Sequence, residues 1–554
     1  MIHRFPENIR FDETGFTDPF RYCPNPLVKA AAESVISMID RMESDESVPE
    51  AVVRGFSEGK MIGILVCKDE SDGNIGFTCA FSGSVGGRSI IEGFVPPIFD
   101  LTDPSGYFKI KEAEISEINR KIEEICSSEI TRTLHERLLH IREKMDKEIL
   151  EAKERMAVAK SSRNRLRSQC QDMAILEALT KESQHEKAEF RRLKAYWEKQ
   201  ISAATEELKK QTDKISELKS ERAAMSDSLQ EWIFSQYIVH NATGGQATIR
   251  EIFAAEGLTA PGGTGDCAAP KLLEHAFRNK LKPLAMGEFW YGDSPRTAVR
   301  THGHFYPSCT SKCGPLLKFM MKGLDEIVKG PGDPVAHPHV IHEDDSIIII
   351  DKPSGMPSVP GLDGHESLSE WLDRNICQVY QVHRLDMDTS GIMVFAKTQD
   401  AASFIQRQFE ERSTSKTYRA RLSPPDRQNR YYKTRATDSE QEGSISIPLS
   451  PDYDERPRQK ADFTDGKEAV TEYRILSHND DGTTDIVFHP HTGRTHQLRV
   501  HSAHILGLGR PILGDMLYGG SCTPSRLHLH AESISFIHPV TLAPVTFTST
   551  KNCF

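Results

Sequence analysis

Between residues 107 and 243 apolar side chains recur at steps of three and four: Ile115, Ile118, Ile122; Leu134, Leu138, Ile141, Met145, Ile149; Leu208, Ile215, Leu218, Met225, Leu229. The same stretch has neither Gly nor Pro and is rich in Glu, Lys, Arg, Ala and Leu. A narrow apolar stripe on a charged background predicts long helix with a coiled-coil-like seam. One unbroken helix would run on the order of 200 Å at 1.5 Å per residue. A hairpin that folds back near 160–167, where the stripe weakens, is more economical. Such an arm suits RNA reach, self-association or spacing, and equally a helical pair that packs only on itself.

On either side of this arm the pattern changes. Met-Ile-Gly-Ile-Leu-Val-Cys at 61–67 and Ile-Gly-Phe-Thr-Cys-Ala-Phe at 75–81 flank a turn containing Asp-Glu-Ser-Asp-Gly, which predicts a β-hairpin. Residues 248–324 mix Gly-rich turns with two helical patterns. The expected organisation is one α/β domain made from 1–107 and 236–330, with the arm at 108–235 inserted into it. A Pro/Gly-rich linker follows at 329–338, and a further domain occupies 336–554. There, an apolar run at 346–350 enters a Gly/Pro loop, a polar loop at 382–391 precedes a strand at 392–397, and a strand from 486 ends in a Gly turn. The fold class is α+β.

Length and composition bound this picture. A chain of 554 residues exceeds one core. Its 38% hydrophobic and 27% charged residues suit a soluble protein, and the 11 scattered cysteines suit a reducing compartment. No apolar run has the roughly 20 residues of a membrane span, and the first residues lack the apolar core of a signal peptide. A cytoplasmic protein without membrane contact is expected. The net charge of −11 disfavours nucleic acid, but residues 411–435 carry a local +6 from Arg412, Lys416, Arg419, Arg421, Arg427, Arg430, Lys433 and Arg435 against Glu411 and Asp426. Phosphate contacts are local, so such a strip suits RNA.

The candidate chemistry lies in two polar segments. Residues 383–391 read His-Arg-Leu-Asp-Met-Asp-Thr-Ser-Gly, and residues 493–501 read Gly-Arg-Thr-His-Gln-Leu-Arg-Val-His. A lone Asp in a loop is ordinarily a turn or cap residue. Asp386, however, has His383, Arg384, Thr389 and Ser390 around it, and Arg494 or Arg499 could ion-pair with it and hold it ionised. Tyr418 sits among cations, as a ring that stacks on a base would.

These segments resemble the active site of the RluA family of RNA pseudouridine synthases, over the last two-fifths of the chain. The resemblance implies a pseudouridine-synthase fold, a mixed, largely antiparallel sheet with a central cleft. It makes Asp386 the catalytic aspartate, Tyr418 of Lys416-Thr-Tyr the ring on the target base, Arg499 the ionic partner of Asp386, and Leu498 an apolar contact. His383, Arg384, Thr389, Arg494 and Lys416 would complete the substrate site, with Arg384 filling the space left by a flipped base. Lys352 and Pro353 take a structural role, and residues 511–515 and 518–519 complete the pattern. Residues 452–460 and 466–473 look closest to the RluA subgroup, which acts on a uridine in the tRNA anticodon stem-loop and on one in a 23S rRNA hairpin. No cofactor or metal is implied. Two departures stand out: the stretch from His501 to Pro511 is longer, and the N-terminal region has no counterpart.

A second, weaker resemblance concerns Cys267, Cys309 and Cys313. A Cys at a helix start followed by a Pro-x-Cys turn is similar to the zinc layout of cytidine-deaminase-like folds, with His302 or His304 as a fourth ligand. Ala269 stands where the general acid/base Glu belongs, and the Cys309–Cys313 gap is one residue too long. The competing readings are a non-catalytic RNA- or ribosome-binding protein that retains the synthase fold, and a bifunctional enzyme with a base-deaminating part. Intact Asp386, Tyr418 and Arg499 oppose the first; Ala269 opposes the second.

Overall fold

The computed structural model describes the chain apart from residues 1, 6–14, 21–23, 102–104, 311, 325–326, 329–336, 362–365, 426–440, 454, 520–525 and 550–554. Most of the predicted linker thus lies outside the described residues. Two compact units are present: residues Met1–Asp100 with Phe234–Phe554, and residues Leu101–Ile233.

The smaller unit is helical. Helices Tyr107–Ser127, Glu129–Gln169 and all but the last three residues of the 64-residue Met173–Gln236 form it. Ser128 interrupts the first pair in extended conformation and caps the next helix through its hydroxyl, which accepts the Thr131 N–H. Antiparallel pairing is fixed by contacts such as Arg137–Glu207, Trp197 Nε1 to Glu148, and the fork of Arg163 on Glu186 at 2.6 Å. The fold-back falls at 170–172, beyond the expected 160–167. The stripe weakens there because a buried Arg163 paired with Glu182 and Glu186 replaces an apolar seam residue, so the helix continues.

In the larger unit a five-stranded antiparallel sheet runs in the order His3–Arg4, Ile75–Phe81, Lys60–Asp69, Leu281–Tyr291, Phe305–Tyr306. Chain from both sides of the arm therefore shares one sheet. Helix Pro26–Met42 covers the face of Ile62, Ile64 and Val66, and Ala268–Arg278 packs on Lys60–Asp69 and Leu281–Tyr291. The strands are apolar without alternation because they are buried on both faces.

The C-terminal sheet is mixed and largely antiparallel, ordered His339–Glu343, Ile347–Lys352, Ser390–Ala396, Leu529–Ile537, Ser415–Leu422, Thr484–Pro490, Val470–His478, Glu442–Ser446. Its parallel pairing is confined to Ser390–His530 and Gly391–Ala531. Separate apolar cores lie on the two sides of this seam, one around Ile486, Phe488 and Val500, the others around Ile347–Ile350 and Phe395. Gly391 (φ +115°) is required at the seam, since a Cβ there would lie 2.3 Å from Ala531 O. Ala531 faces Gly391 on one side and Tyr418 on the other. Register alone thus brings the end of the Asp386 loop within two strand spacings of Tyr418, about 10 Å.

Candidate active site

The site begins at Lys352, a fully buried lysine at the end of its strand. Its Nζ donates to Pro353 O, Met356 O and Met387 O at 2.9, 2.7 and 2.9 Å. Burial lowers its pKa to about 7, opposed by Asp388 and Asp386. Three carbonyl acceptors engage all three protons of an ammonium, which argues for the charged form. Ser354 Oγ donates to Asp388 O at 2.7 Å and Gly355 N to Met387 O at 2.9 Å. Ser358 Oγ donates to Leu385 O at 2.6 Å and accepts from Leu385 N. The backbone on both sides of Asp386 is therefore pinned from one neighbouring loop, and Thr389 N to Asp386 O closes the turn. Preorganisation of this kind aims a reacting group.

Burial pushes the Asp386 carboxyl above its ordinary range. Arg499, Arg384, Lys352 and the His496 backbone N–H oppose that shift by favouring the carboxylate. His496 has a left-handed backbone (φ +53°) at the start of the short helix Gln497–Ala503.

Arg499 departs from expectation. Its guanidinium forms a fork to Asp515, Nε to Oδ2 at 2.8 Å and Nη2 to Oδ1 at 2.7 Å, with both residues buried. Asp388 lies 4.0 Å away. Asp386 has no ion pair with Arg499 within that distance among the described residues and feels it only as a nearby charge. The reason is local. Asp515 Oδ1 also accepts the Leu517 and Tyr518 N–H groups, which makes it a fixed receptor for the fork, and the Tyr518 ring lies 5.3 Å from the guanidinium carbon. The residues flanking Asp515 in sequence do not mark it as that receptor.

Tyr418 lies where the pairing of Ser415–Leu422 with Leu529–Ile537 shifts register, between Thr417 and Tyr418. Such irregularities re-aim a side chain. Burial, and then the charge of Asp386, push its phenol up, so it stays protonated.

The remaining candidates divide. Arg384 is exposed next to Asp386, and Lys416 is half-buried with its pKa lowered by burial. Leu498 and Thr389 are buried, Leu498 in the core beside the site. Arg494 donates from Nε to Glu468 O at 3.0 Å. His383 is committed to the fold. Its Nε2 accepts the Val394 N–H at 2.9 Å, its ring stacks on Phe409, and burial lowers its pKa to about 3. Within the basic strip Arg412, Arg419 and Arg421 pair with Glu468, Glu532 and Asp485; Arg427, Arg430, Lys433 and Arg435 lie outside the described residues.

Residues that lie within the sequence motifs but carry no individual role there connect these parts. Gln459 N donates to Tyr518 Oη at 2.8 Å, and Tyr518 Oη lies 2.8 Å from His496 Nδ1. With the amide as donor, the phenol proton goes to His496 Nδ1. Burial holds His496 neutral.

The three cysteines make separate contacts. Among the described residues no group of three or more His, Cys, Asp or Glu could hold an ion. Cys267 shares a thiol hydrogen bond with Cys313, whereas Cys309 Sγ accepts Lys312 N at 3.2 Å. His302 Nδ1 accepts the Gly292 N–H, and His304 contacts Gly519 O.

The C-terminal part of the chain is similar to known proteins. A family model described as RNA pseudouridylate synthase matches residues 346–504. The dual-specificity RNA pseudouridine synthase RluA of Yersinia pestis is 40% identical over 213 residues, 38% of this chain and 96% of that protein. The Escherichia coli K12 protein of the same name is also 40% identical, over 90% of its length. A solved human RNA pseudouridylate synthase domain-containing protein aligns at 25% identity with TM-score 0.32, covering 40% of this chain and 86% of that one.

Proposed function

Since the chain belongs to the RluA family of RNA pseudouridine synthases, we propose that it isomerises one uridine of a structured RNA with Asp386 as nucleophile, the RNA being a tRNA anticodon stem-loop, a 23S rRNA hairpin, or both. The observation that carries this is the pinning of Asp386 on both sides, beside a protonated Tyr418 and the charge of Arg499. A stacked uridine hides its anomeric carbon, so the base must be extruded, which a loop allows more cheaply. Arg384, exposed beside Asp386, suits the vacated space. The Asp386 carboxylate acts at C1′ as a glycosidase nucleophile does. The carboxylate displaces N1, so the N1–C1′ bond breaks; the uracil turns while Tyr418 holds its face, and C5 displaces the carboxylate as it bonds to C1′. The proton lost at C5 is balanced by one gained at N1, so the reaction is neutral in electrons and protons.

The test is pseudouridine mapping on total RNA from cells with the wild-type gene, with Asp386→Ala, and with the gene removed. Sites lost in both defective strains, within an anticodon stem-loop or a 23S hairpin, are the expected result. An unchanged map would overturn the reading. In purified form Asp386→Asn should keep RNA affinity and lose turnover by at least about 10³-fold, as removal of a nucleophile does. Retained turnover would remove Asp386 from that role.

A further inference from the structure

We infer that the N-terminal α/β domain is a working part of the synthase site, with Tyr306 as a positioning residue that acts through Arg458 and Tyr518 on His496 and Arg499. This rests on the synthase reading of the Asp386 site.

The observation is a stack of alternating rings and guanidinium groups that crosses from one domain into the other. Arg300 lies over Trp290 and Tyr306, with its carbon 5.7 and 4.8 Å from the ring centres. Arg458 lies between Tyr306 and Tyr518, at 5.0 and 5.7 Å. Arg499 closes the series over Tyr518 at 5.3 Å. Trp290, Arg300 and Tyr306 belong to the N-terminal domain; the others belong to the synthase domain.

Each step is held in place. Tyr306 is buried, and its hydroxyl accepts the Thr301 N–H at 2.8 Å. Arg300 pairs with Glu455. Arg458 is buried, its Nη2 has no hydrogen-bond partner among the described residues, and its Nε lies 3.7 Å from Glu455 Oε2, the carboxylate that also pairs with Arg300. Two ring faces and one carboxylate share this cation, and a desolvated guanidinium binds such faces strongly. Removing the Tyr306 face leaves Arg458 held by Glu455 and the Tyr518 ring alone, so it shifts toward them. Tyr518 shifts with it, and Tyr518 is the residue that bonds His496 and underlies Arg499.

A second contact acts on the same loop. Gly519 (φ +92°) has no room for a Cβ, which would lie 2.7 Å from the Tyr306 hydroxyl. Around this point the domains interlock: Ala461 N donates to Thr297 O, His504 Nε2 lies 2.8 Å from Arg296 O, and Val299 is buried in the synthase core.

The test uses the full chain with Tyr306→Ala and Tyr306→Phe. Two readouts are taken: single-turnover rate against RNA affinity, and the 15N spectrum of labelled histidines, with the His496 signal identified by its loss in His496→Gln. Tyr306→Ala should slow the bound-state rate by on the order of 10²-fold, the scale of a misplaced site. RNA affinity should hold within about 3-fold, a small change on the affinity scale. The His496 Nδ1 signal should move as its Tyr518 bond loosens. Tyr306→Phe keeps the ring face and should restore most of the rate and the signal. If Tyr306→Ala does not fold, Tyr306→Leu, which keeps bulk without a π face, takes its place. A wild-type rate with an unmoved His496 signal overturns the inference. If the wild-type chain itself modifies no RNA, the synthase reading fails, and the His496 spectrum alone decides this inference.

Discussion

Asp386 and Arg499 are the proposed reacting residues, and burial acts on the two in opposite senses. The Arg499 charge is buried and matched by Asp515. Asp515→Ala would leave that charge unpaired and should lower stability by about 3–5 kcal/mol, read by urea denaturation; a change below about 1 kcal/mol would show that Arg499 finds another partner. Asp386 works in the opposite sense. Its folded pKa is raised by burial, so its ionisation opposes folding, and the stability it contributes is lost as pH rises through the folded value. Asp386→Asn should therefore melt at or above the wild type at neutral pH. In the proposed mechanism only the carboxylate attacks, so the single-turnover rate should climb with pH through a pKa above the usual Asp value of about 4. A rate already flat at that pH would exclude the desolvated carboxylate.

At the scale of elements, the site depends on one short parallel seam. The pairing of Ser390–Gly391 with His530–Ala531 joins the sheet halves and sets the distance from the Asp386 loop to Tyr418. Gly391→Ala forces a Cβ against the Ala531 backbone and should cost at least about 2–4 kcal/mol. Denaturation of the variant would measure this, and an unchanged midpoint would mean that the seam can open without penalty. The helical arm makes a related point. A stripe of apolar residues located its helices, but a buried ion pair at Arg163 moved the fold-back to 170–172.

Over the whole molecule, several histidines are buried neutral. Burial lowers His383 to about 3 and His501 to about 4, and His496 also falls well below its usual 6.5. A depressed histidine leaves the folded state with fewer bound protons than the unfolded chain. Stability is then fully present above the unfolded value and is lost as pH falls from 6.5 toward about 4. The denaturation midpoint of the full chain should drop across that window, and His501→Gln should flatten part of the slope. A midpoint independent of pH there would contradict neutral burial. The interlocked contacts at 296–306 make the N-terminal domain part of this same structural unit.

Sequence by itself determined the family and the fold class, and singled out Asp386, Tyr418 and Arg499 as the candidate site residues. Its information there is local: motif spacing, period-two and period-3.6 patterns, and residue types that persist in any conformation. It also implied a structural Lys352, whose three carbonyl acceptors are now visible. Tertiary structure alone decided that Arg499 grips Asp515, that His383 serves the core, and that Cys267, Cys309 and Cys313 hold no metal site among the described residues. It alone brought Tyr306 to Arg458 and Tyr518. These are choices among chemically equivalent partners far apart in the chain. An arginine's charge attracts any carboxylate, and only the packed backbone settles which one stands at 2.7 Å.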